Sequence, residues 1–311
     1  MIKKTLYFGH PARLSLRLGQ IVIKLPEVED NETLSERLKR ESVVTRPVED
    51  IGLVVLDHRQ ITLTQGLLAA LLENNVAVVT CDGRSMPAGL MLPLEGNTVQ
   101  SERFRRQIDA SLPLRKQLWQ QTVRQKILNQ AAVLEAVAAV ETGCMHAWAE
   151  GVRSGDPDNL EGRAAAYYWR HLFGRTHPDF TRDREGPAPN ALLNYGYAIL
   201  RATMARALVG SGLLPTLGIH HHNRYNTYCL ADDMMEPYRP YVDELVAEIV
   251  DRYDDTSTLT RELKAELLGI PALDVVVDGR RSPLMVAVSA TSASLCRCYS
   301  GESRRLSLPC R

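Results

Sequence analysis

The spacing of apolar residues changes once along this chain, and no other feature constrains the fold as much. Over residues 1–85 the spacing follows a period of two. Leu14, Leu16 and Leu18 alternate with Arg13, Ser15 and Arg17, and after Gly19-Gln20 the alternation resumes with Ile21, Ile23 and Leu25. Two alternating runs around a glycine-containing tight turn predict a β-hairpin. Residues 5–8, 51–56 and 76–81 are further β-rich runs, and residues 63–74 place Leu67, Leu68, Leu71 and Leu72 on one face of a short helix. Residues 30–42 are polar and charged, which suits a loop or an exposed helical insertion.

Residues 86–97 contain two prolines and two glycines without a regular period, and they read as a linker. Beyond them the spacing is helical. Helices are expected over residues 98–110, 114–140, 160–173, 190–209 and 240–253, with Asn190 as an N-cap and Pro240 in a tolerated first-turn position. Residues 272–277 with Asp278-Gly279 read as a strand and a turn. The segment 282–311, rich in Ser, Arg and β-branched residues, could be a basic tail that folds only on DNA. The fold class is α+β: a small β-rich domain over residues 1–85, the linker 86–97, and a larger α-helical domain over 98–311.

Apolar residues make up 45% of the chain and charged residues 24%, which excludes a disordered tail, a fibrous repeat or a disulfide miniprotein. No uncharged apolar run approaches the roughly 18 residues of a membrane span. Gly9, His10, Pro11 and Arg13 interrupt what begins like a signal peptide. The six cysteines include no Cys-x-x-Cys pair and are expected as free thiols, so the expectation is a soluble cytoplasmic protein.

Lys and Arg total 37, equal to Asp and Glu at 37, but the charges are not evenly spread. Residues 102–126 hold seven basic side chains against two acidic, and residues 280–311 hold six arginines against one glutamate. Residues 232–255 hold nine acids and two arginines. Two basic surfaces around an acidic centre suit a phosphate-backbone ligand brought to a cation site; solvated helix faces are the other reading. Phosphate contact and ordinary surface are equally open for Arg103, Arg105 and Arg106.

The acidic centre holds the residues that could carry chemistry. In His220-His221-His222 three consecutive side chains cannot share a face, so at most one or two reach a site. Asp232, Asp233 and Glu236 lie on one helical turn. As i and i+3 neighbours, Asp233 and Glu236 repel unless a metal ion or Arg239 stands between them. They could equally decorate a helix N-terminus. Glu161 sits in a first helical turn, and Gly162 after it disfavours the helix by about 1 kcal/mol relative to Ala. That glycine suggests close approach of a ligand or another helix. Asn190 and Asn194, one turn apart, could face the site or DNA. One ring of Tyr167, Tyr168 and Trp169 is expected in the core.

Four motifs in order make the chain recognisable: Leu160-Glu161-Gly162-Arg163-Ala164-Ala165; Asn190-Ala191-Leu192-Leu193-Asn194-Tyr195-Gly196-Tyr197; the Gly-x-x-His of Gly218 and His221; and Asp233-Met234-Met235-Glu236-Pro237-Tyr238-Arg239-Pro240. They resemble the CRISPR-associated adaptation integrase/endonuclease family, the Cas-one proteins, and Glu236 with its Pro-Tyr-Arg-Pro continuation resembles the branch of type II systems. The resemblance implies a divalent cation, Mg²⁺ or Mn²⁺, held by Glu161, His221 and Glu236, with Asp233 as a competitor for the third place. A mixed site of two carboxylates and one imidazole suits those ions better than a structural zinc. It also implies insertion of short DNA fragments into a CRISPR array by 3′-OH attack on a repeat phosphodiester, with hydrolysis when water attacks. The implied partners are double-stranded DNA, a second copy paired through the N-terminal domain, and the small Cas-two protein. A non-catalytic helical DNA-binding scaffold and a small-substrate metal-dependent phosphohydrolase are the alternatives. His220 and His222 have no role in this resemblance and are read as exposed loop residues.

Overall fold

The computed structural model describes residues 3–311. They fall into two compact units, and the chain passes from one to the other between Gly96 and Asn97.

In the first unit β1 (Lys4–Phe8), β5 (Ile51–Leu56), β7 (Ala77–Cys81) and β8 (Pro87–Met91) form a sheet in the order β1-β5-β7-β8. Its first three strands are parallel and β8 closes the edge antiparallel. β2 (Ala12–Arg17), β3 (Gln20–Lys24), β4 (Val44–Pro47) and β6 (Ile61–Leu63) form a second sheet in the order β4-β3-β2-β6. The expected hairpin is β2–β3, with Leu14 opposite Ile23 and Leu16 opposite Ile21. Its turn residues Leu18 and Gly19 have φ of 49° and 71°, so both central positions are left-handed, as a tight hairpin turn requires. α1 (Pro26–Glu29) and α2 (Glu36–Glu41) decorate the polar insertion, and α3 (Gln65–Glu73) buries Leu67 and Leu71. Those two pack with Leu14, Ile21, Ile51, Val54 and Val78 in one core cluster.

β8 corrects the expected linker of residues 86–97. Its alternation is broken by proline and glycine, yet Val78, Val79 and Thr80 pair with Met91, Leu90 and Gly89. An edge strand tolerates both residues because half of its backbone groups need no partner in the sheet.

The second unit is built on α5 (Leu112–Ala138), preceded by α4 (Gln100–Ile108). Around it lie α6 (Gly143–Gly151), α7 (Leu160–Leu172), α8 (Asn190–Gly210), α9 (Cys229–Met235), α10 (Arg239–Arg252) and α11 (Arg261–Leu267). A 3₁₀ turn, Glu236–Tyr238, joins α9 to α10. Then come β9 (Asp274–Val277), β10 (Arg280–Pro283), α12 (Leu284–Tyr299) and β11 (Pro309–Cys310), with β10-β9-β11 as a small antiparallel sheet. Residues 282–311 are thus structured: α12 buries Leu284, Met285, Val288 and Leu295, and β11 pairs with β9. α8 buries Leu192, Leu193, Leu200 and Met204 through the middle of the unit. No helix of the described residues is long and apolar enough to cross a membrane.

Candidate metal and nucleic-acid site

Glu161 is placed by the start of α7. The Asp156 carboxylate accepts from the backbone N–H of Leu160 at 2.9 Å and of Glu161 at 3.0 Å, and the Asn159 side chain accepts from Gly162 N–H at 3.2 Å. Three first-turn donors are thereby satisfied. The cap also explains Gly162. A Cβ there would stand 2.6 Å from Asn159 Nδ2 and 2.7 Å from its Oδ1. The glycine therefore makes room for its own helix cap, where the sequence suggested a ligand or another helix.

His221 lies on the loop before α9, and Asp233 on α9 fixes it. Asp233 has no exposed surface and accepts from His220 N–H at 2.9 Å and from His221 N–H at 3.3 Å. Its Oδ1 lies 2.5 Å from His221 Nδ1. With the carboxylate as acceptor Nδ1 is the donor, so the neutral ring has its free lone pair on Nε2. This bond, ahead of the opposing effect of burial, raises the His221 pKa, and the Asp233, Glu236 and Glu161 charges add to it. Gly218 is required where the loop folds back, because a Cβ would sit 2.8 Å from Asp233 Oδ2. Asp233 is thus occupied with holding the loop. His220 stacks on buried Trp119, ring centroids 4.2 Å apart and 3° from parallel, and His221 meets the same indole edge-on at 5.5 Å. His220 is exposed but anchored, and His222 is exposed.

Glu236 opens the 3₁₀ turn and is buried. Arg239 Nε donates to its Oε1 at 2.8 Å, and Lys126 Nζ lies 2.6 Å from its Oε2. Oε2 makes no hydrogen bond of good geometry, so the contact is electrostatic. Burial alone would lift the carboxyl, but the Arg239 and Lys126 charges outweigh it and hold it at about 2. The same Lys126 Nζ lies 2.6 Å from Glu161 Oε1. Lys126, on α5, is the residue that sequence reasoning missed. It brings Glu161 and Glu236 to one point from helices far apart in the chain.

Other candidates turn elsewhere. Asp232 is held by Arg201 at 2.6 and 3.0 Å and by Asn226 at 2.7 Å. Asn190 is the first helical residue rather than the cap. Its side chain accepts from Arg182 and from Asp183 N–H and donates to the Thr181 and Pro187 carbonyls, each at 3.0 Å. Asn194 accepts from Arg182 at 2.8 Å and donates to the Arg184 carbonyl at 2.8 Å. Both asparagines organise the loop before α8. Tyr168 is the buried ring of the aromatic run. Arg103 donates to the Ser211 carbonyl at 2.6 Å, and Arg106 pairs with Glu102. Arg103 and Arg106 line a cavity of about 330 Å³ with Arg297, Tyr299 and Ser300.

Among the described residues no three His, Cys, Asp or Glu side chains stand close enough together to hold a metal ion as they are placed. The donor set nevertheless fits a hard divalent cation. Two carboxylates converge on a place that attracts positive charge, one buried oxygen there lacks a hydrogen bond, and the His221 imidazole, near enough for both charges to raise its pKa, has a carboxylate behind Nδ1.

The family model described as "CRISPR associated protein Cas1" matches residues 27–268. The chain is similar to the CRISPR-associated endonuclease Cas1 of Neisseria meningitidis, at 38% identity over 256 residues covering 80% of this chain and 81% of the relative. A second Cas1 endonuclease, from Pyrobaculum aerophilum, is 27% identical over 266 residues, 81% of this chain and 88% of that protein. In fold the chain resembles a casposase bound to integration product, with TM-score 0.76, 20% identity and coverage of 99% and 93% of the two chains. It also resembles a Cas1 protein of Thermotoga maritima, with TM-score 0.70, 15% identity and coverage of 96% and 97%. The chain described here belongs to the Cas1 family of CRISPR-associated proteins.

Proposed function

We propose that this chain is a metal-dependent DNA integrase and endonuclease of CRISPR adaptation, and that Glu161, His221 and Glu236 hold its Mg²⁺ or Mn²⁺. The observation that carries the reading is the meeting of two carboxylates, from α7 and from the turn before α10, beside an imidazole oriented by a buried aspartate. Asp233 supports His221 from behind and is not itself a ligand. Arg239 binds the outer oxygen of Glu236 and leaves Oε2 directed at the centre.

When bound, the cation would polarise a phosphodiester, favour the attacking oxygen and stabilise the leaving one. In the joining reaction the 3′-hydroxyl oxygen of a short DNA fragment forms a new P–O bond at the edge of a CRISPR repeat. The P–O bond to the displaced 3′-oxygen of the repeat strand breaks, and the proton passes from attacker to leaving group. Phosphodiester number is unchanged, so no other energy source is needed. Water in place of the hydroxyl gives endonuclease chemistry.

The partners proposed are double-stranded DNA, a second copy joined through the β-rich unit, and the small Cas-two protein. The fold likeness to a chain of a Cas6-RT-Cas1–Cas2 complex, with TM-score 0.69, 19% identity and coverage of 97% of this chain and 35% of that one, supports the last.

The test is strand transfer of a labelled short duplex into a supercoiled plasmid carrying the repeat, with the small partner present. Joined product is expected with Mn²⁺ and is expected to disappear with EDTA or Glu161→Ala. DNA binding with neither joining nor cutting would favour a non-catalytic scaffold instead.

A further inference from the structure

Lys126 occupies the space in which a cation would bridge the two carboxylates. Its Nζ lies 2.6 Å from Glu161 Oε1 and 2.6 Å from Glu236 Oε2. A divalent ion bound to those oxygens would lie about 2.0–2.2 Å from each. Ion and ammonium would share one volume and carry like charge, so each excludes the other. Entry of the metal is then an exchange that drives the ammonium out.

The surroundings determine what can move. α5 is fixed, with Val123, Ile127 and Gln130 buried beside Lys126. Asn129 donates to the Pro237 carbonyl at 2.7 Å and ties the helix to the Glu236 turn. Arg239 is held by Glu236 Oε1 and lies 4.5 Å over the Tyr197 ring. Only the flexible four-carbon stem of Lys126 is left to swing. An ammonium displaced from two carboxylates needs another anion close by, and a DNA phosphate at the reacting centre supplies one.

We propose that Lys126 is an exchangeable counter-ion that makes divalent-cation binding and DNA-phosphate binding reinforce each other. Without DNA, Lys126 holds Glu161 and Glu236 together and competes with the metal. With DNA, it moves to a phosphate and yields the carboxylates to the metal. The two ligands then tighten each other by the same factor, since coupling between two binding equilibria is reciprocal. Lys126 is a positioning residue in the first state and a substrate-contacting one in the second. The proposal rests on the metal reading given above.

Calorimetric titration of Mn²⁺ tests it, using wild type, Lys126→Met and Lys126→Gln. Each is titrated with and without a short duplex whose 3′ ends are dideoxy, so that nothing can react. The glutamine variant keeps a polar head that can donate to both carboxylates, and it serves where methionine disturbs folding. Both variants are expected to bind Mn²⁺ roughly tenfold more tightly than wild type without DNA. DNA is expected to tighten Mn²⁺ binding to wild type and to change it little in the variants. Variants that bind Mn²⁺ no more tightly, or the same DNA effect in all three proteins, would overturn the role of Lys126. Absence of Mn²⁺ binding to wild type would instead overturn the metal reading, and this inference with it.

Discussion

Glu236 and Asp243 are both buried, lie seven residues apart and sit on the same run of chain, yet their environments drive them in opposite directions. Glu236 is flanked by Lys126 and Arg239 and is held at about 2, whereas burial lifts Asp243 to about 7. Asp243 accepts from the Tyr168 hydroxyl at 3.1 Å and from the Tyr197 hydroxyl, and those bonds only partly oppose the desolvation. Neutral donors do for a buried carboxylate what water does, but less well; a cation in contact does more. One acid is therefore kept ionised and available to a positive ion. The other belongs to a buried hydrogen-bonded network that braces α7, α8 and α10.

The largest expected difference is in activity. Glu161→Ala or Glu236→Ala should lower strand transfer on the order of 10³-fold or more, because each removes a carboxylate of the cation site. Asp243→Ala, an acid equally buried, should act on stability first, which parallel joining and thermal-melting measurements separate. Next is Lys126→Met measured in EDTA. It leaves two carboxylates facing each other with no cation between them, and unfolding by denaturant should show a loss of about 3–5 kcal/mol. Added Mn²⁺ should restore much of that stability; an unchanged midpoint in EDTA would break the contrast between the two networks.

Asp233→Asn should weaken Mn²⁺ binding by about 10–100-fold, because it removes the partner that fixes the His221 ring and its tautomer. Calorimetry on the folded variant reads this directly. A pH slope is expected as well. The unfolded chain ionises Asp243 near the ordinary value of about 3.9, while the folded chain keeps that proton up to about 7. Between those values the folded state binds the extra proton, so stability falls as pH rises and levels off above the window. Asp243→Asn should flatten that part of the stability–pH curve, by on the order of 4 kcal/mol at most. A slope that persists in the variant would assign the titration to another group.

What could be read from the sequence was local. The β2–β3 hairpin follows from neighbours in the chain, and α7 follows from a run of alanines with polar residues before it. Glu161, His221 and Glu236 came from ordered motifs, and the structure puts the two glutamates on one lysine. Lys126 was one of seven basic residues in the stretch 102–126, with partners 35 and 110 positions away. No periodicity singles it out. Asn190 looked like a cap because the loop it organises, residues 181–187, has no pattern of its own.

α12 was hidden for a different reason. Leu284–Tyr299 holds three serines, a threonine and two valines, which favour other conformations. Burial overrides that preference, and the serine hydroxyls are satisfied within the helix: Ser292 donates to the Val288 carbonyl at 2.9 Å and Ser294 to that of Thr291 at 2.7 Å. β8 was missed because proline and glycine disfavour a central strand but not an edge.

The most direct test is the anomalous scattering of Mn²⁺ in crystals of this protein grown with DNA. A single peak is expected between Glu161, Glu236 and His221 Nε2, about 2.0–2.2 Å from each ligand atom, with Lys126 withdrawn from both carboxylates. No peak there, with Lys126 still bridging Glu161 and Glu236, would contradict the metal site on which the proposed chemistry depends.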